Sequence, residues 1–318
     1  MNDSDPTETR VVEVCRSRFD AAPDTVERLA TGLCNRVYRV RYGAESFVVR
    51  VSPHAETLAG STYWLKTLEK TGVTIPRVLH ADLESGEPVV IMTCLEGRDL
   101  GHVYDALSAN ERRAIAREVA RANGILRGLP EAKGFGFLSS YDDPAAKVDW
   151  QAVVLAHIER SRGRIAANGY FAPAYADRVE SLLPRFENHF RRVRPLPFFD
   201  DATTKNVMVS GGAFVGIVDL DWLCFGDDLY APALTRMSLL DSGRDDDYVG
   251  YWIEERGVTG AERAALEFYT LVFCLDFMSE KGTRFNEAEA APVSAEEVRA
   301  LEERFATLER NAARAAGA

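Results

Sequence analysis

The chain has 318 residues, of which 46% are hydrophobic and 27% are charged, and its formal net charge at pH 7 is −11. This composition is typical of a soluble globular protein with about two domains and a substantial core. The negative charge argues against a general nucleic-acid binder, which needs a basic face, and no apolar run approaches the roughly 18 residues of a membrane span.

The first third of the chain is predicted to be rich in strands. Residues 1–7 are expected to be disordered and residues 8–20 to form a short helix. Hydrophobic runs bounded by turn residues then predict, in order, strand 26–30, strand 36–42, strand 46–52, helix 54–71, strand 73–82 and strand 88–95. Together they suggest an N-terminal lobe over residues 8–95, with the second and third strands joined as a hairpin.

After Gly97 the pattern becomes mainly helical, which predicts a second lobe over residues 96–318. Ser108 and Glu111 have the spacing of a capping box at the start of a helix. The predicted elements are, in order, a helix from there to about Arg127, a loop over 134–144, helices over 147–166 and 173–192 with a possible kink at Pro184, a hairpin that turns at 210–212, and helices over most of 229–318, the last a surface helix from about Val293.

The cysteines and the N-terminal segment bear on the cellular compartment of the protein. The five cysteines are widely spaced and form no Cys-x-x-Cys pair, so we expect neither a disulfide framework nor a zinc site. The N-terminal segment MNDSDPTETR is acidic and polar, unlike a secretory signal. We therefore expect a cytoplasmic protein with no nucleic-acid or membrane partner, while its oligomeric state stays open.

Residues 198–228 place several acidic side chains beside two apolar strands, where charges are costly unless they are paired or bind a metal. Asp201 and Asn206 lie in a loop that enters the first strand, and Asp219 ends the second. Because hairpin strands lie about 4.8 Å apart, Asp219 is expected to return close to Asn206. A carboxylate and an amide oxygen suit Mg²⁺, and Asp201 would accept a proton from an attacking hydroxyl. Phosphoryl transfer needs this layout.

This stretch resembles the catalytic region of the aminoglycoside phosphotransferase and choline kinase-like family. The family pattern H-x-D-x-x-x-x-N, then I-D-W and G-D, reads here F-D-D-A-T-T-K-N, then I-V-D-L-D-W and G-D-D. The resemblance implies an α+β, protein-kinase-like fold with a small sheet-rich N-terminal lobe and a larger helical C-terminal lobe. It also implies that Asp201 is the catalytic base and that Asn206 and Asp219 are the metal ligands.

Five neighbouring residues are open to interpretation. Lys205 either neutralises the transferred phosphoryl group or is a surface lysine. Asp221 either supports the metal site or is an alternate ligand, and Asp200 is expected to pair with an arginine. Phe199 replaces the family histidine, whose role is mainly structural. Asp227 is expected to start a helix or to be structural.

The N-terminal lobe carries an independent part of the resemblance. Residues 29–40 resemble the family nucleotide loop G-G-x-S-N-x-x-Y-x-V, with matches at Gly32, Asn35, Tyr38 and Val40. Arg50 takes the place of the strand lysine that holds the ATP phosphates. The helix glutamate that would orient this cation is expected at residue 61, where the chain has Ser61, and Glu56 is an alternative partner. At the lobe connection, adenine would contact the backbone of Thr93, Cys94 and Leu95.

The leading hypothesis is an ATP- and Mg²⁺-dependent kinase that transfers the γ-phosphoryl group to a hydroxyl of an aminoglycoside-like or other small polar acceptor. The carboxylates expected around the C-terminal cleft would suit a cationic acceptor; they are Asp227, Asp228, Asp276 and Glu280. A nucleotide-binding pseudokinase that acts as a regulatory module is the alternative. A metal-dependent phosphohydrolase is a weaker one, because a second cluster of histidines or aspartates is missing.

Overall fold

The structure is a computed structural model that describes residues 6–29, 36–283 and 292–317. Its N-terminal lobe is a five-stranded antiparallel sheet with strand order β1-β2-β3-β5-β4. The elements of this lobe are α1 (Pro6–Phe19), β1 (Thr25–Leu29), β2 (Arg36–Tyr42), β3 (Glu45–Val51), α2 (Ala55–Leu68), β4 (Val78–Asp82) and β5 (Val89–Thr93). Helix α1 begins at Pro6, so residues 6 and 7 are helical, and residues 1–5 lie outside the described part.

Alternation of side chains along the strands explains how this sheet packs. Tyr38, Val40 and Val49 are buried on one face with Val11 of helix α1, as the period of two in a strand requires. The opposite face, which includes Val90, packs on helix α2 and joins the main core. The predicted hairpin between β2 and β3 is present, with Tyr42 opposite Glu45 and a left-handed glycine, Gly43, at its turn.

The C-terminal lobe is mostly helical, and the two lobes together give the predicted two-lobed α+β fold. Its elements are β6 (Arg98–Asp99), α3 (Leu100–Val103), a 3-10 turn (Tyr104–Ala106), α4 (Ala109–Leu126), β7 (Gly136–Leu138), α5 (Trp150–Asn168), α6 (Ala174–Glu180), α7 (Leu183–Phe190), β8 (Pro197–Phe198), β9 (Val207–Ser210), β10 (Ala213–Ile217), β11 (Leu223–Phe225), α8 (Tyr230–Asp241), α9 (Asp247–Arg256), α10 (Gly260–Glu280) and α11 (Ala295–Ala315). Among the described residues, no helix is long and apolar enough to cross a bilayer.

Three predicted elements of this lobe differ in the structure. The single kinked helix over 173–192 is two helices, α6 and α7, and Pro184 lies in the first turn of α7, where its missing N–H costs no hydrogen bond. The predicted loop 134–144 contains strand β7, which pairs with β11. Helix α11 is not only a surface helix, because Leu301, Phe305 and Leu308 on one of its faces are buried in the main core.

A short three-stranded sheet fixes the β9–β10 hairpin relative to the rest of the chain. Strand β6, directly after the lobe connection, pairs with β9, and β9 pairs with β10. The backbone N–H of Ile217 donates to the carbonyl of Thr74 at 3.0 Å. A Cβ on neighbouring Gly216 would lie 2.7 Å from that carbonyl, so a glycine is needed for this approach. The β9–β10 hairpin is thus attached to the N-terminal lobe.

Candidate active site

The loop that precedes β9 starts from a buried anchor at Phe199. Its ring is 2% exposed and belongs to the main core. Its backbone N–H donates to Oδ1 of Asn123, a buried side chain of helix α4, at 3.0 Å. Phe199 therefore holds the start of the loop by packing and by a backbone hydrogen bond, and its position needs no imidazole.

The predicted base Asp201 is oriented by a residue that the sequence reasoning missed. Oδ1 of Asp201 accepts hydrogen bonds from the backbone N–H of Thr203 at 3.1 Å and from its hydroxyl at 2.6 Å. Thr203 is 2% exposed, so its hydroxyl is fixed. Two bonds to one oxygen leave Oδ2 of Asp201 as the atom to accept a proton from a hydroxyl in the cleft. The spacing Asp-x-Thr, typical of an Asx turn, is the signal that points to this contact.

The backbone of the hairpin brings the segments of the two predicted metal ligands together. The backbone N–H of Val218 donates to the carbonyl of Asn206 at 2.9 Å, and Nδ2 of Asn206 donates to the carbonyl of Asp201 at 3.1 Å. The latter bond leaves the amide oxygen of Asn206 for other partners. Asp219 has a left-handed backbone, with φ 63, and a side chain that is 58% exposed. Strained backbone of this kind is common at functional sites.

These donors fit Mg²⁺ bound together with phosphates. Asn206 offers an amide oxygen and Asp219 a carboxylate, and Mg²⁺ prefers hard oxygen ligands, with phosphates and water completing its shell. No group of three or more His, Cys, Asp or Glu side chains within residues 6–29, 36–283 and 292–317 could enclose a metal by itself. A site with two protein ligands is typical of Mg²⁺ that binds together with the phosphates of a nucleotide.

Arg50 lies beside the carboxylates of Asp219 and Asp221. Nη2 of Arg50 is 2.7 Å from Oδ1 and 2.9 Å from Oδ2 of Asp221, and 3.4 Å from Oδ1 of Asp219. Nη1 donates to the hydroxyl of Ser61 at 3.1 Å. The side chain of Glu56 is 81% exposed and approaches His54 instead. The suggestion that Glu56 is the partner of Arg50 was therefore wrong, because Glu56 lies on the solvent side of helix α2.

Asp200 does not take the role that the sequence suggested. Among the described residues its electrostatic neighbours are carboxylates, and no arginine pairs with it. Burial, with the nearby charges of Asp201, Asp219 and Asp221, raises the pKa of Asp200 well above its ordinary value. The clustering of four carboxylates at this point indicates a site built to receive positive charge.

A cleft of about 260 Å³ opens beside Asp201. Lys205 lies on it together with Asp201, so the two predicted catalytic side chains share one cavity. The opposite wall comes from helices α5, α8 and α10, and the lining includes Phe137, His157, Arg160, Leu234, Ser238, Phe273, Asp276, Phe277 and Glu280. Small-molecule sites usually measure about 300–1,000 Å³, and the volume of this cleft lies just below that range.

The carboxylates expected to attract a cationic acceptor mostly have hydrogen-bond or ion-pair partners within the protein. Asp227 accepts from the hydroxyl of Tyr269 at 2.8 Å, and Asp228 is bound by Arg256 at 2.9 Å; neither lines the cleft. Asp276 does line it, but is paired with Arg160 and other donors. The expectation of an acceptor-binding role is therefore wrong for Asp227 and Asp228, and the charge of Asp276 is paired within the protein, while Glu280 lines the cleft as expected, 3.8 Å from Arg164.

The pairing of Asp276 gives a pH prediction. Burial alone would raise its pKa, but the His157 ring 3.2 Å away and the Arg160 guanidinium hold the pKa of Asp276 well below its ordinary value. A depressed carboxyl pKa contributes stability that is complete above the unfolded value, about 3.9, and is lost as the pH falls below it. The melting temperature should therefore drop more steeply from pH 5 to pH 3 in the wild type than in Asp276→Asn. Equal slopes would contradict the stabilising role of this charge.

Part of the predicted nucleotide site cannot be placed. Gly32 and Asn35 of the nucleotide loop lie outside the described residues. At the lobe connection, the backbone N–H of Thr93 already donates to the carbonyl of Arg77 at 2.9 Å. This N–H is therefore engaged within the protein, and the predicted adenine contacts fall mainly on Cys94 and Leu95, which follow β5 and are partly buried.

Known structures share this architecture. Aminoglycoside phosphotransferase APH(2'')-Ib in its ADP-bound form has a TM-score of 0.67 and 16% identity, covering 96% of this chain and 99% of the other. A thermostable mutant of APH(4)-Ia in a ternary complex with AMP-PNP and hygromycin B has a TM-score of 0.65, 16% identity and coverage of 96% and 97%. The gentamicin complex of APH(2'')-IIa has a TM-score of 0.64, 14% identity and coverage of 99% and 97%. These likenesses show the fold.

The sequence itself gives the family. No curated protein sequence matches the chain. The family described as "Phosphotransferase enzyme family" matches residues 25–269, which include both the β3 arginine and the whole β9–β10 hairpin. This match covers most of the chain, including Asp201, Asn206 and Asp219, and the chain belongs to the phosphotransferase enzyme family.

Proposed function

We propose that this protein is an ATP- and Mg²⁺-dependent kinase that transfers the γ-phosphoryl group to a hydroxyl of a small polar acceptor. The observation that carries the proposal is that Asp201 lines the cleft, that Asn206 is hydrogen-bonded to the Asp201 carbonyl, and that Val218, next to Asp219, is hydrogen-bonded to the Asn206 carbonyl. ATP is favoured as the donor because structures of the same fold contain ADP or AMP-PNP. The acceptor class is favoured by neighbours that hold hygromycin B or gentamicin.

Each residue has a separate task in this proposal. The Thr203 bonds hold Asp201 so that its second oxygen accepts the proton of the acceptor hydroxyl. Arg50 grips the phosphates with a charged, planar donor group, and Lys205 neutralises the transferred group from the cleft side. Asn206 and Asp219 would hold Mg²⁺, which, when bound, neutralises charge on the phosphates.

Phosphate transfer from labelled ATP to a panel of aminoglycosides, amino alcohols, sugars and nucleosides tests this proposal. We expect Mg²⁺-dependent labelling of at least one small molecule. Binding of ATP without transfer to any acceptor and without hydrolysis would favour the pseudokinase. Stoichiometric phosphate on a protein partner, with none on the panel, would contradict the small-molecule acceptor.

Arg50→Ala should weaken the binding of Mg²⁺–ATP. The arginine is 5% exposed and its partners are fixed, so alanine removes a preorganised phosphate ligand. The loss should be about 1.5–3 kcal/mol, the scale of a charge-assisted hydrogen bond. Isothermal titration calorimetry measures it, with Arg113→Ala as the control, because Arg113 is a surface arginine of helix α4 paired with Glu254. Unchanged affinity in Arg50→Ala would refute the phosphate contact.

A further inference from the structure

The partner of the phosphate-binding arginine comes from an unexpected part of the chain. Arg50 is on β3 of the N-terminal lobe, while Asp221 follows the predicted metal ligand Asp219 in the C-terminal lobe. Both oxygens of Asp221 lie within 2.9 Å of Nη2 of Arg50. The Asp221 side chain is 12% exposed and that of Arg50 is 6% exposed. The two side chains thus form a charge-assisted contact that is largely shielded from solvent.

Helix α2 lies against the segment that carries Asp221 and has no room for a side chain at Gly60. A Cβ on Gly60 would lie 2.5 Å from the backbone carbonyl of Asp221 and 3.2 Å from Cβ of Ser139. The helix therefore touches the backbone of the Asp221 segment directly. The next residue, Ser61, is fully buried and supplies only a hydroxyl to Nη1 of Arg50. The small residues Gly60 and Ser61 thus let Asp221 reach the arginine.

The same arginine also approaches the predicted metal ligand. Nη2 of Arg50 is 3.4 Å from Oδ1 of Asp219 and closer to both oxygens of Asp221. An arginine without Asp221 would pair with Asp219 alone and compete with a metal for that carboxylate. Asp221 therefore holds the guanidinium beside the predicted metal ligand but closer to itself, where it remains available to bind phosphate.

We propose that Asp221 is the positioning residue for Arg50, in place of a carboxylate on helix α2, and that by pairing with Arg50 more closely than Asp219 does it weakens the hold of Arg50 on Asp219. The inference rests on the proposed function, since it assigns Arg50 to the ATP phosphates. In this arrangement the position of Arg50, which binds the phosphates, depends on the segment that also carries the predicted metal ligand Asp219. Nucleotide and Mg²⁺ binding are then coupled through one side chain.

Calorimetric titration of ATP at several Mg²⁺ concentrations tests the proposal. Asp221→Asn should weaken Mg²⁺–ATP binding about 10-fold to 100-fold, the loss expected for a charged hydrogen bond. It should also raise the Mg²⁺ concentration that gives half-maximal affinity, which a purely structural defect would not do. The matched control is Asp228→Asn, another buried carboxylate of the same segment, which is bound by Arg256 and Arg127. Its nucleotide affinity should equal that of the wild type.

A rescue variant removes the ambiguity of a single substitution. Asp221→Ala combined with Ser61→Asp moves the carboxylate to helix α2 and should restore at least part of the ATP affinity lost in Asp221→Ala. If Asp221→Asn does not fold, Ser61→Ala removes the other Arg50 contact and should weaken binding about 2-fold to 10-fold, since one hydrogen bond is lost.

The outcomes separate the inference from the function on which it rests. Wild-type affinity and Mg²⁺ dependence in Asp221→Asn would overturn the inference, as would equal losses in Asp221→Asn and Asp228→Asn. In either case the wild type would still bind Mg²⁺–ATP, and the proposed function would stand. A wild type that binds no ATP would overturn both.

Discussion

Asp201→Asn is expected to leave Mg²⁺–ATP binding nearly intact and to lower turnover by about 10²–10⁴-fold, the usual contribution of a positioned general base. This loss corresponds to roughly 3–5.5 kcal/mol of activation free energy. Asparagine keeps the size of the side chain and can still accept the Thr203 hydrogen bonds. It cannot accept the proton of the acceptor hydroxyl, so only the chemical step should suffer.

Calorimetry with Mg²⁺–ATP and turnover on the best acceptor of the panel measure the two quantities side by side. Asp142→Asn is a suitable control, because this carboxylate is 82% exposed and pairs only with the exposed Lys133 among the described residues. Turnover of Asp201→Asn within threefold of the wild type would remove Asp201 as the base. A large loss of nucleotide affinity would reassign it to nucleotide or metal binding.

Asp219→Asn should instead lower both Mg²⁺–ATP binding and turnover. The carboxylate is 58% exposed and follows Val218, whose N–H is bonded to the Asn206 carbonyl, so its removal takes one charge from the predicted metal site. We expect a loss of about 10-fold to 100-fold in affinity with Mg²⁺ present and of about 10²–10³-fold in turnover, the scale for one lost electrostatic contact in a transition state. Titration of ATP without Mg²⁺ should show little change.

The pair of variants also distinguishes the two functional hypotheses. A pseudokinase would have no turnover to lose, and Asp201→Asn would then change little. If both variants lost nucleotide affinity equally, the division of labour between Asp201 and Asp219 would be wrong. If neither variant changed binding or turnover, the hairpin could not be the catalytic site.

Local patterns in the sequence were enough to predict the two-lobed fold and the β9–β10 hairpin. The β2–β3 hairpin follows from alternating apolar residues around a glycine turn, and the pairing of β9 with β10 follows from two apolar runs on either side of a turn. The capping box at Ser108 is present as predicted. These features depend on residues close together in the sequence, so a short stretch of sequence contains them.

The missed features depend on contacts between distant segments. The partner of Arg50 is 171 positions away, and no periodicity links β3 to Asp221. Strands β6 and β8 have two residues each, too few for an alternation to be visible. The neutralisation of Asp276 by Arg160 joins helices α5 and α10 over 116 positions. Such pairings exist only once the chain is folded, and their charges then decide which carboxylates stay available.

The bond between Ile217 and the Thr74 carbonyl has a mechanical consequence. It joins the N-terminal lobe to strand β10 of the β9–β10 hairpin. We therefore expect the lobes to rotate about an axis near this contact. Displacement in a rotation grows with distance from the axis. Strands β1 and β2, at the far edge of the sheet, would then sweep the widest arc over a bound nucleotide, while the residues beside Thr74 would hardly move. The β9–β10 hairpin, which is bonded to Thr74, would stay in place while strands β1 and β2 move toward and away from it.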